Sequence, residues 1–599
     1  MNVAVKPAAT NALGALPNWD LSDLYPGGLD SPELKRDLEQ AAADAKAFAA
    51  QYQGKMASLS GAAMAEAFVH YESLQEVLGR IGSFSGLMYA GDQSDAKIGQ
   101  FAQNVQERIT EITSALLFFS LEINRIEDDE MERKLDDKAL ARYRPWIRDC
   151  RAYRAHQLSD ELETLLHEKY VSGKAAWNRL FDETMARLRF AMDGKQLTSA
   201  EILHLLSEKD GAVRKQAAQN FGQVMGKNSA LFGLITNTLA KDKEIEDRWR
   251  HYAHPQSSRN LSNQVEDEVV DALHAAVKAS YPKLSHRYYA LKAKWFGATQ
   301  LDYWDRNAPL PEADDRVIPW QEAEKTVLDA YNAFSPDLGA VGQKFFDHAW
   351  IDAPTKPGKS PGAFAHPTVP SVHPYLLLNY QGKTRDVMTL AHELGHGVHQ
   401  VLAGPQGYLM SDTPLTLAET ASVFGEMLTF RALLEAQTDP AKRKVMLSSK
   451  VEDMINTVVR QISFYDFELR VHTERRHGEL TAERIGEIWL EVQKEALGPV
   501  FRFGDEYKNY WAYIPHFVHT PFYVYAYAFG DCLVNSLYAV YQEGAPGFQA
   551  KYLEMLKAGG TLRHKELLAP FGLDASDPAF WQKGLSVIAG FIDELEAMA

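Results

Sequence analysis

Apolar residues in the first third of the chain recur three and four apart, with almost no strand-like alternation, so helix follows helix. Ser31-Pro32-Glu33 opens one such run. Ser31 can cap it, Pro32 suits its first position, and the periodicity lasts to about Tyr52. Further helical stretches are predicted near 62–80, 95–125 and 136–155, separated by loops carrying Gly, Ser, Asp or Pro. From about 199 to 297 the pattern is again helical and heavily charged. LTSAEILHLLSEKD reads as one helix capped by Thr198 or Ser199. Between 303 and 374 prolines cluster and helical periodicity weakens. Residues 356–374 form a long Pro/Gly/Ser-rich loop, a candidate functional loop by its length. YLLLNY (Tyr375–Tyr380) follows, an apolar run of strand length bounded by turn residues. From Arg385 onward helices return, broken by a Gly/Pro loop at 404–414. The pattern holds no internal repeat, and the fold class it predicts is predominantly α.

Composition narrows the function. The chain has 599 residues, 46% of them hydrophobic, enough to bury a large core. With 63 Lys+Arg against 80 Asp+Glu the net charge is −17, and no basic tract interrupts it, which argues against nucleic acid and anionic membranes as partners. No run of 18 apolar residues is present, so no transmembrane helix is expected. The first residues lack a basic start followed by a long apolar core, so no secretory signal is expected and the cytoplasm is the expected location. The 2 cysteines, Cys150 and Cys532, cannot build a disulfide framework or a thiolate zinc module, and both read as buried thiols.

The candidate chemistry lies in DVMTLAHELGHGVHQVLA (386–403), which contains H-E-x-x-H: His392, Glu393 and His396. On a helix, positions four apart share one face, so both imidazoles can converge on one Zn²⁺ at about 2.0–2.1 Å. Glu393 then sits where a general base toward a metal-activated water belongs. The flanking residues Val387, Leu390, Leu394 and Val398 are apolar, so the helix is buried, and buried His and Glu need partners that a metal supplies. Gly395 and Gly397 weaken the helix by about 1 kcal/mol each relative to Ala. Close approach of another backbone or of substrate would be the return.

A third ligand is needed. A metzincin pattern would require Gly and His where this chain has His399 and Leu402, so that pattern fails. TPLTLAETASVFGEMLTFRALLEA (413–436) reads as a second helix carrying Glu419 and Glu426 seven apart, on one stripe. Small residues surround Glu419, so it is assigned as the third ligand, with Asp412 a weaker competitor. Glu426 is assigned as acceptor from a ligand histidine N–H. Three protein ligands leave a fourth position open, the catalytic rather than the structural arrangement. Downstream, YIPHFVHTPFYVYAYAFG (513–530) offers phenol and imidazole donors suited to a tetrahedral oxyanion: His516 or His519, with Tyr523 and Tyr525.

TLAHELGHGVH, LAETASVFGE, HPYLLLNY and IPHFVHTPFYVYAYAFG together resemble oligoendopeptidase F, of the thimet-oligopeptidase-like zinc metallopeptidases, and WDLSDLYP (19–26) looks like that branch's opening. The resemblance implies a nearly all-helical ellipsoid with an internal channel and a small sheet beside the zinc site. It implies one Zn²⁺ per chain on His392, His396 and Glu419, with Glu393 as catalytic base and the His/Tyr segment stabilising the transition state. Tyr375, Leu376, Leu377, Leu378 and Asn379 would form an edge strand pairing with the peptide backbone. Pro361 to Phe364, with Gly362 and Ala363, would be the mobile loop beside it, and Tyr527 would also face substrate. The expected organisation is a flexible 1–18, an N-terminal helical domain over 19–198 and a catalytic domain over 199–599. The expected partners are short peptides, cleaved internally, because Lys and Arg are sparse near the His/Tyr segment and Lys508 is the nearest before it. The oligomeric state, monomer or homodimer, stays open.

Overall fold

The computed structural model describes residues 12–170, 172–310, 316–360 and 362–598. Residues 1–11 of the expected flexible segment and Pro361 of the expected loop lie outside the described residues. The fold is predominantly α, as the periodicity predicts, with only small sheets. Two compact units arise, each from three stretches of chain. One takes the chain up to Arg154, then 316–436, then Gly544–Gly572. The other takes 155–310, Gln437–Glu543 and the chain from Leu573. No helix among the described residues is long and apolar enough to cross a membrane.

In the first unit, helices α1 (Pro32–Tyr52), α2 (Gly61–Gly91) and α3 (Ala96–Ser114) pack on one another. Ser31 caps α1 as its sequence predicts, Oγ accepting from the Leu34 N–H at 3.3 Å, with Pro32 in the first turn. Phe48, Phe68, Phe119 and Tyr143 are buried in one aromatic core, where Phe68 stacks on Tyr143 at 4.8 Å. Two long predicted helices are broken. The run over 95–125 splits after Ser114 and resumes at Phe118–Arg125. The run over 136–155 divides ahead of Pro145, which has no N–H to continue a helix and sits in the first turn of Arg144–Arg151.

Two helices appear where the sequence pattern was weak: α4 (Trp320–Phe334) and α5 (Pro336–Asp347). Ser335-Pro336-Asp337 repeats the Ser-Pro-acidic start of α1, and Ser335 Oγ accepts from the Leu338 N–H at 3.4 Å. Next come strands β1 (Ile351–Pro354), β2 (Phe364–His366) and β3 (Tyr375–Tyr380), in the order β1-β3-β2. β3 has the bounds the sequence predicts, but it is the middle strand, not an edge. β1 pairs with it in parallel, and β2 pairs with it antiparallel, Ala365 opposite Leu376. The Pro/Gly/Ser loop doubles back to supply β2, and that return covers the side of β3 expected to be open.

Helix α6 (Thr384–Ala403) carries the H-E-x-x-H motif and packs against α8 (Ser422–Ala436), which a turn separates from the short α7 (Leu415–Ala418). The single helix expected over 413–436 is therefore interrupted, and Glu419 lies in the interruption rather than on a common stripe with Glu426. Thr420 Oγ1 donates to the Leu417 carbonyl at 2.6 Å, a local bond that competes with helix continuation. Tyr552, on the helix Phe548–Lys557, donates to the Thr420 carbonyl at 2.8 Å and fixes the turn from outside. Gly395 is what lets this turn approach α6. A Cβ there would lie 2.5 Å from the Ala421 carbonyl oxygen and 2.6 Å from Ser422 Cα. Tyr331 of α4 donates to the Ala391 carbonyl at 2.6 Å and ties α6 to α4.

The second unit is built round α9 (Pro440–Ile455), α10 (Gln461–Arg475), α11 (Tyr525–Gln542) and α12 (Pro578–Ala597), with α11 packed along α12. Thr198 caps its helix in a reciprocal box with Glu201, but that helix spans only Ser199–His204 before tightening into a 3₁₀ turn. Cys532 is fully buried in α11. Cys150 is half-buried rather than buried, and both are free thiols.

Gly395→Ala forces a methyl into backbone with no room to yield, an overpacking cost of about 1–3 kcal/mol. We expect a lower apparent melting temperature by calorimetry; a melting curve superimposable on the parent would show that the α6–turn contact is not tight.

Candidate metal centre

α6 projects His392 and His396 from one face, ring centroids 5.0 Å apart and nearly perpendicular. The turn between α7 and α8 brings the Glu419 carboxylate to both: Oε2 lies 3.4 Å from His392 Nε2 and 3.5 Å from His396 Nε2. These three side chains offer ligand atoms all within 4.8 Å of one another. Among the described residues they are the group able to hold a metal ion; Asp412 and His399 are outside it. Two imidazole nitrogens and one carboxylate oxygen match the donor set of a catalytic zinc site.

Neighbouring residues fix two of the three donors. Glu426 Oε2 lies 3.2 Å from His392 Nδ1, so an Nδ1–H donated to Glu426 leaves Nε2 free to face Glu419. Ser422 Oγ donates to Glu419 Oε2 at 2.6 Å. The sequence marks Ser422 only as one of the small residues around Glu419, not as a hydrogen-bond donor to it. Glu393 is buried, 7% exposed. Burial raises its carboxyl to about 7, against the lowering influence of His392; Glu419 adds to the rise, and the Ala365 backbone N–H opposes it. Burial alone would lower His392, but the bond to Glu426 and the charges of Glu419 and Glu393 carry it up to about 9. Burial holds His396 below its ordinary value. His399 is buried, and burial lowers it too.

The sheet lies against α6. Tyr375, Leu376, Leu377 and Leu378 are buried, and Tyr375 donates its hydroxyl to the Asp20 carbonyl. Asn379 Nδ2 donates to the carbonyls of Ser360 at 3.0 Å and Gly362 at 2.9 Å. Gly362 takes φ +83°, a conformation suited to glycine, and Ala363 and Phe364 lead from it into β2. Ala365, absent from the sequence expectations, faces the motif helix: its N–H is directed to Glu393, and its carbonyl accepts from Gln400 Nε2 at 3.4 Å.

The His/Tyr segment belongs to the second unit. It forms a short helix, His516–His519, then a turn into α11. His516, Tyr523 and Tyr527 come together: His516 Nε2 lies 3.3 Å from the Tyr527 hydroxyl, and the His516 and Tyr523 rings lie parallel at 6.0 Å. Burial, then His519 and Arg460, lower His516. His519 is not in this group; its Nε2 lies 2.8 Å from Asp182 Oδ1. Nor is Tyr525, which is fully buried and whose hydroxyl accepts from Asn263 Nδ2 at 2.9 Å.

Residues 204–587 match the family model described as peptidase family M3, and residues 122–190 match the one described as oligopeptidase F. Oligopeptidase PepF of Bacillus subtilis is 27% identical over 596 residues, covering 97% of this chain and 87% of the relative. Among solved structures, a candidate peptidase from Chlamydophila abortus superposes with a TM-score of 0.85 at 21% identity, covering 97% of this chain and 98% of that one. Oligoendopeptidase-F from Enterococcus faecium gives 0.69 at 23% identity, covering 94% and 97%. At these identities the two structures speak for the fold.

In metal-free protein, the His392 resonance should titrate near 9 and His396 should be neutral at pH 7, read by NMR of histidine-labelled protein. Glu426→Gln should move the His392 midpoint down. An unmoved midpoint would mean that Glu426 does not hold that imidazole.

Proposed function

The chain belongs to peptidase family M3, and on that premise we propose that it is a zinc-dependent endopeptidase that hydrolyses internal bonds of short peptides. Family membership makes it a metallopeptidase. The choice of zinc, of peptide length and of each residue's role is our reading. The observation that carries it is the group His392, His396 and Glu419, with Glu393 one residue from the first ligand.

The residues fit the ion. Two imidazoles and a carboxylate converge, His392 is presented by Glu426 and Glu419 by Ser422, and three carboxylates around two histidines leave local negative charge that a dication would balance. Zinc, when bound there, supplies a Lewis acid that polarises the scissile carbonyl and acidifies water. Glu393 accepts the proton of the attacking water at its carboxylate and passes it to the leaving amine. β2 offers strand backbone beside Glu393, so peptide pairing is assigned to the chain entering it at Ala363 and Phe364 rather than to the buried β3. His516, Tyr523 and Tyr527 carry the N–H and O–H donors an oxyanion requires. The names of the relatives, oligopeptidase and oligoendopeptidase, agree with short substrates cut internally.

Quenched peptides should be cleaved, a chelator should stop cleavage, and Zn²⁺ should restore it. Glu393→Gln should keep its zinc and lose about 10²- to 10⁴-fold in kcat; full activity in that variant would remove Glu393 from the reaction. Tyr523→Phe should lower kcat by about 10²-fold with KM little changed, as for a lost oxyanion donor. A raised KM with kcat unchanged would make the tyrosine a binding residue instead.

A further inference from the structure

The second unit contains a cavity of about 160 Å³ whose wall carries Arg306, Arg460, Trp489, Gln493, Tyr507 and Tyr513. The charged side chains on that wall are both cationic, and the carboxylate whose charge reaches Arg306 is Glu452. Among the described residues, neither Arg306 nor Arg460 forms an ion pair. The Arg306 guanidinium Nε donates only to Asn307 Oδ1, at 3.3 Å, and Arg460 Nη2 donates to the Tyr513 hydroxyl at 2.9 Å. Nearby carboxylates are engaged elsewhere: Asp305 by Arg214 at 2.7 Å, Glu452 by Lys292 and the Tyr288 hydroxyl, and Glu506 by the Tyr303 hydroxyl at 2.8 Å. Two buried donor atoms on the wall, Arg460 Nε and Trp489 Nε1, have no acceptor. Leaving buried donors unmatched is costly, and leaving two like charges unmatched is more so. Burial and the neighbouring Arg306 both act to lower Arg460.

The backbone singles out the same residue. α9 and α10 form a continuous helical run joined by a π-helical turn, Asn456–Arg460, whose last residue is Arg460. Such turns are uncommon and concentrate at functional sites. Without the π turn, the register of Arg460 relative to α9 would differ. The cavity also adjoins the His/Tyr segment: Tyr513 lies on its wall three residues before His516, and the Arg460 charge reaches His516.

We propose that this cavity is a carboxylate subsite, in which Arg460 and Arg306 hold the C-terminal carboxylate or an acidic side chain of a peptide substrate. A planar carboxylate can accept from two guanidinium forks at once, and the unmatched Trp489 N–H and the tyrosine hydroxyls extend the donor set. The subsite rests on the peptidase reading and sharpens it: a peptide would be selected by its charged end or side chain as well as by its backbone.

The test uses zinc-loaded full-length protein and three quenched peptides with one core sequence: a free C-terminal acid, its C-terminal amide, and the amide carrying a terminal Glu. The free acid should show a KM about tenfold or more below the plain amide. That preference should vanish in Arg460→Gln and Arg306→Gln and survive in part in Arg460→Lys. A low KM restored by the terminal Glu of the amidated peptide would assign the site to acidic side chains; no restoration would assign it to the C-terminus. Should the pocket variants fold poorly, calorimetric titration of the three peptides into Glu393→Gln protein reads the same preference with the pocket intact. Equal KM for all three peptides in the parent, or a preference that persists in both Gln variants, overturns the subsite. Chelator-sensitive cleavage of the amide would stand in either case, so failure here is separable from failure of the peptidase reading.

Discussion

The contact between Gly395 and the Ala421–Ser422 backbone sets the geometry on which the rest of the site depends. A helix carrying two imidazoles one turn apart can present two nitrogens to an ion but cannot supply the third donor from its own face. The third must come from a neighbouring segment brought nearer than ordinary helix packing, 8–10 Å between axes, permits. A glycine on α6 and a helix break opposite it bring the two backbones within that distance. The break does a second job. A continuous helix would point Glu419 along the stripe of Glu426, whereas the turn frees it to lie between His392 and His396 while Glu426 reaches His392 from the far side.

That arrangement places three carboxylates, Glu393, Glu419 and Glu426, round two histidines in a largely buried environment. Such a group stays ionised only if something positive is held there. In the protein alone, protonation of His392 meets part of the demand: Glu426, Glu419 and Glu393 raise its basicity, whereas burial lowers that of His396. A dication would meet the remainder and displace that proton. The scaffold around them, with Tyr331 bonded to the Ala391 carbonyl and Tyr552 to the Thr420 carbonyl, fixes both backbones in the protein alone.

Much of this was legible in the chain because the signals are local. The H-E-x-x-H spacing, the Ser31-Pro32 start and the bounds of β3 each follow from a few consecutive residues. The expectations that failed depended on partners distant in sequence. β3 reads as an open-edged strand until the loop before it returns as β2. The helix over 413–436 reads as continuous because nothing in its own residues reveals that Tyr552 will bind the Thr420 carbonyl. α4 and α5 were obscured by the prolines around them, although Ser335-Pro336 gave the same start signal as Ser31-Pro32. Within the His/Tyr segment the sequence supplies candidates of equal chemistry; only packing separates His516, beside Tyr523 and Tyr527, from His519, bound to Asp182, and from Tyr525, bound to Asn263.

The same limit applies to charge. A net −17 describes the chain as a whole and conceals local imbalances of both signs. The first unit gathers carboxylates round His392 and His396, an excess that calls for a cation. The second gathers Arg306 and Arg460 with donors that lack acceptors, an excess that calls for an anion. Read along the sequence, the His/Tyr segment is poor in cations, since Lys508 is the nearest before it. Read in space, Arg460, which lies 53 positions from Tyr513 in the chain, donates to its hydroxyl. Local charge balance, counted group by group among partners within hydrogen-bonding reach, shows both imbalances where whole-chain composition shows neither.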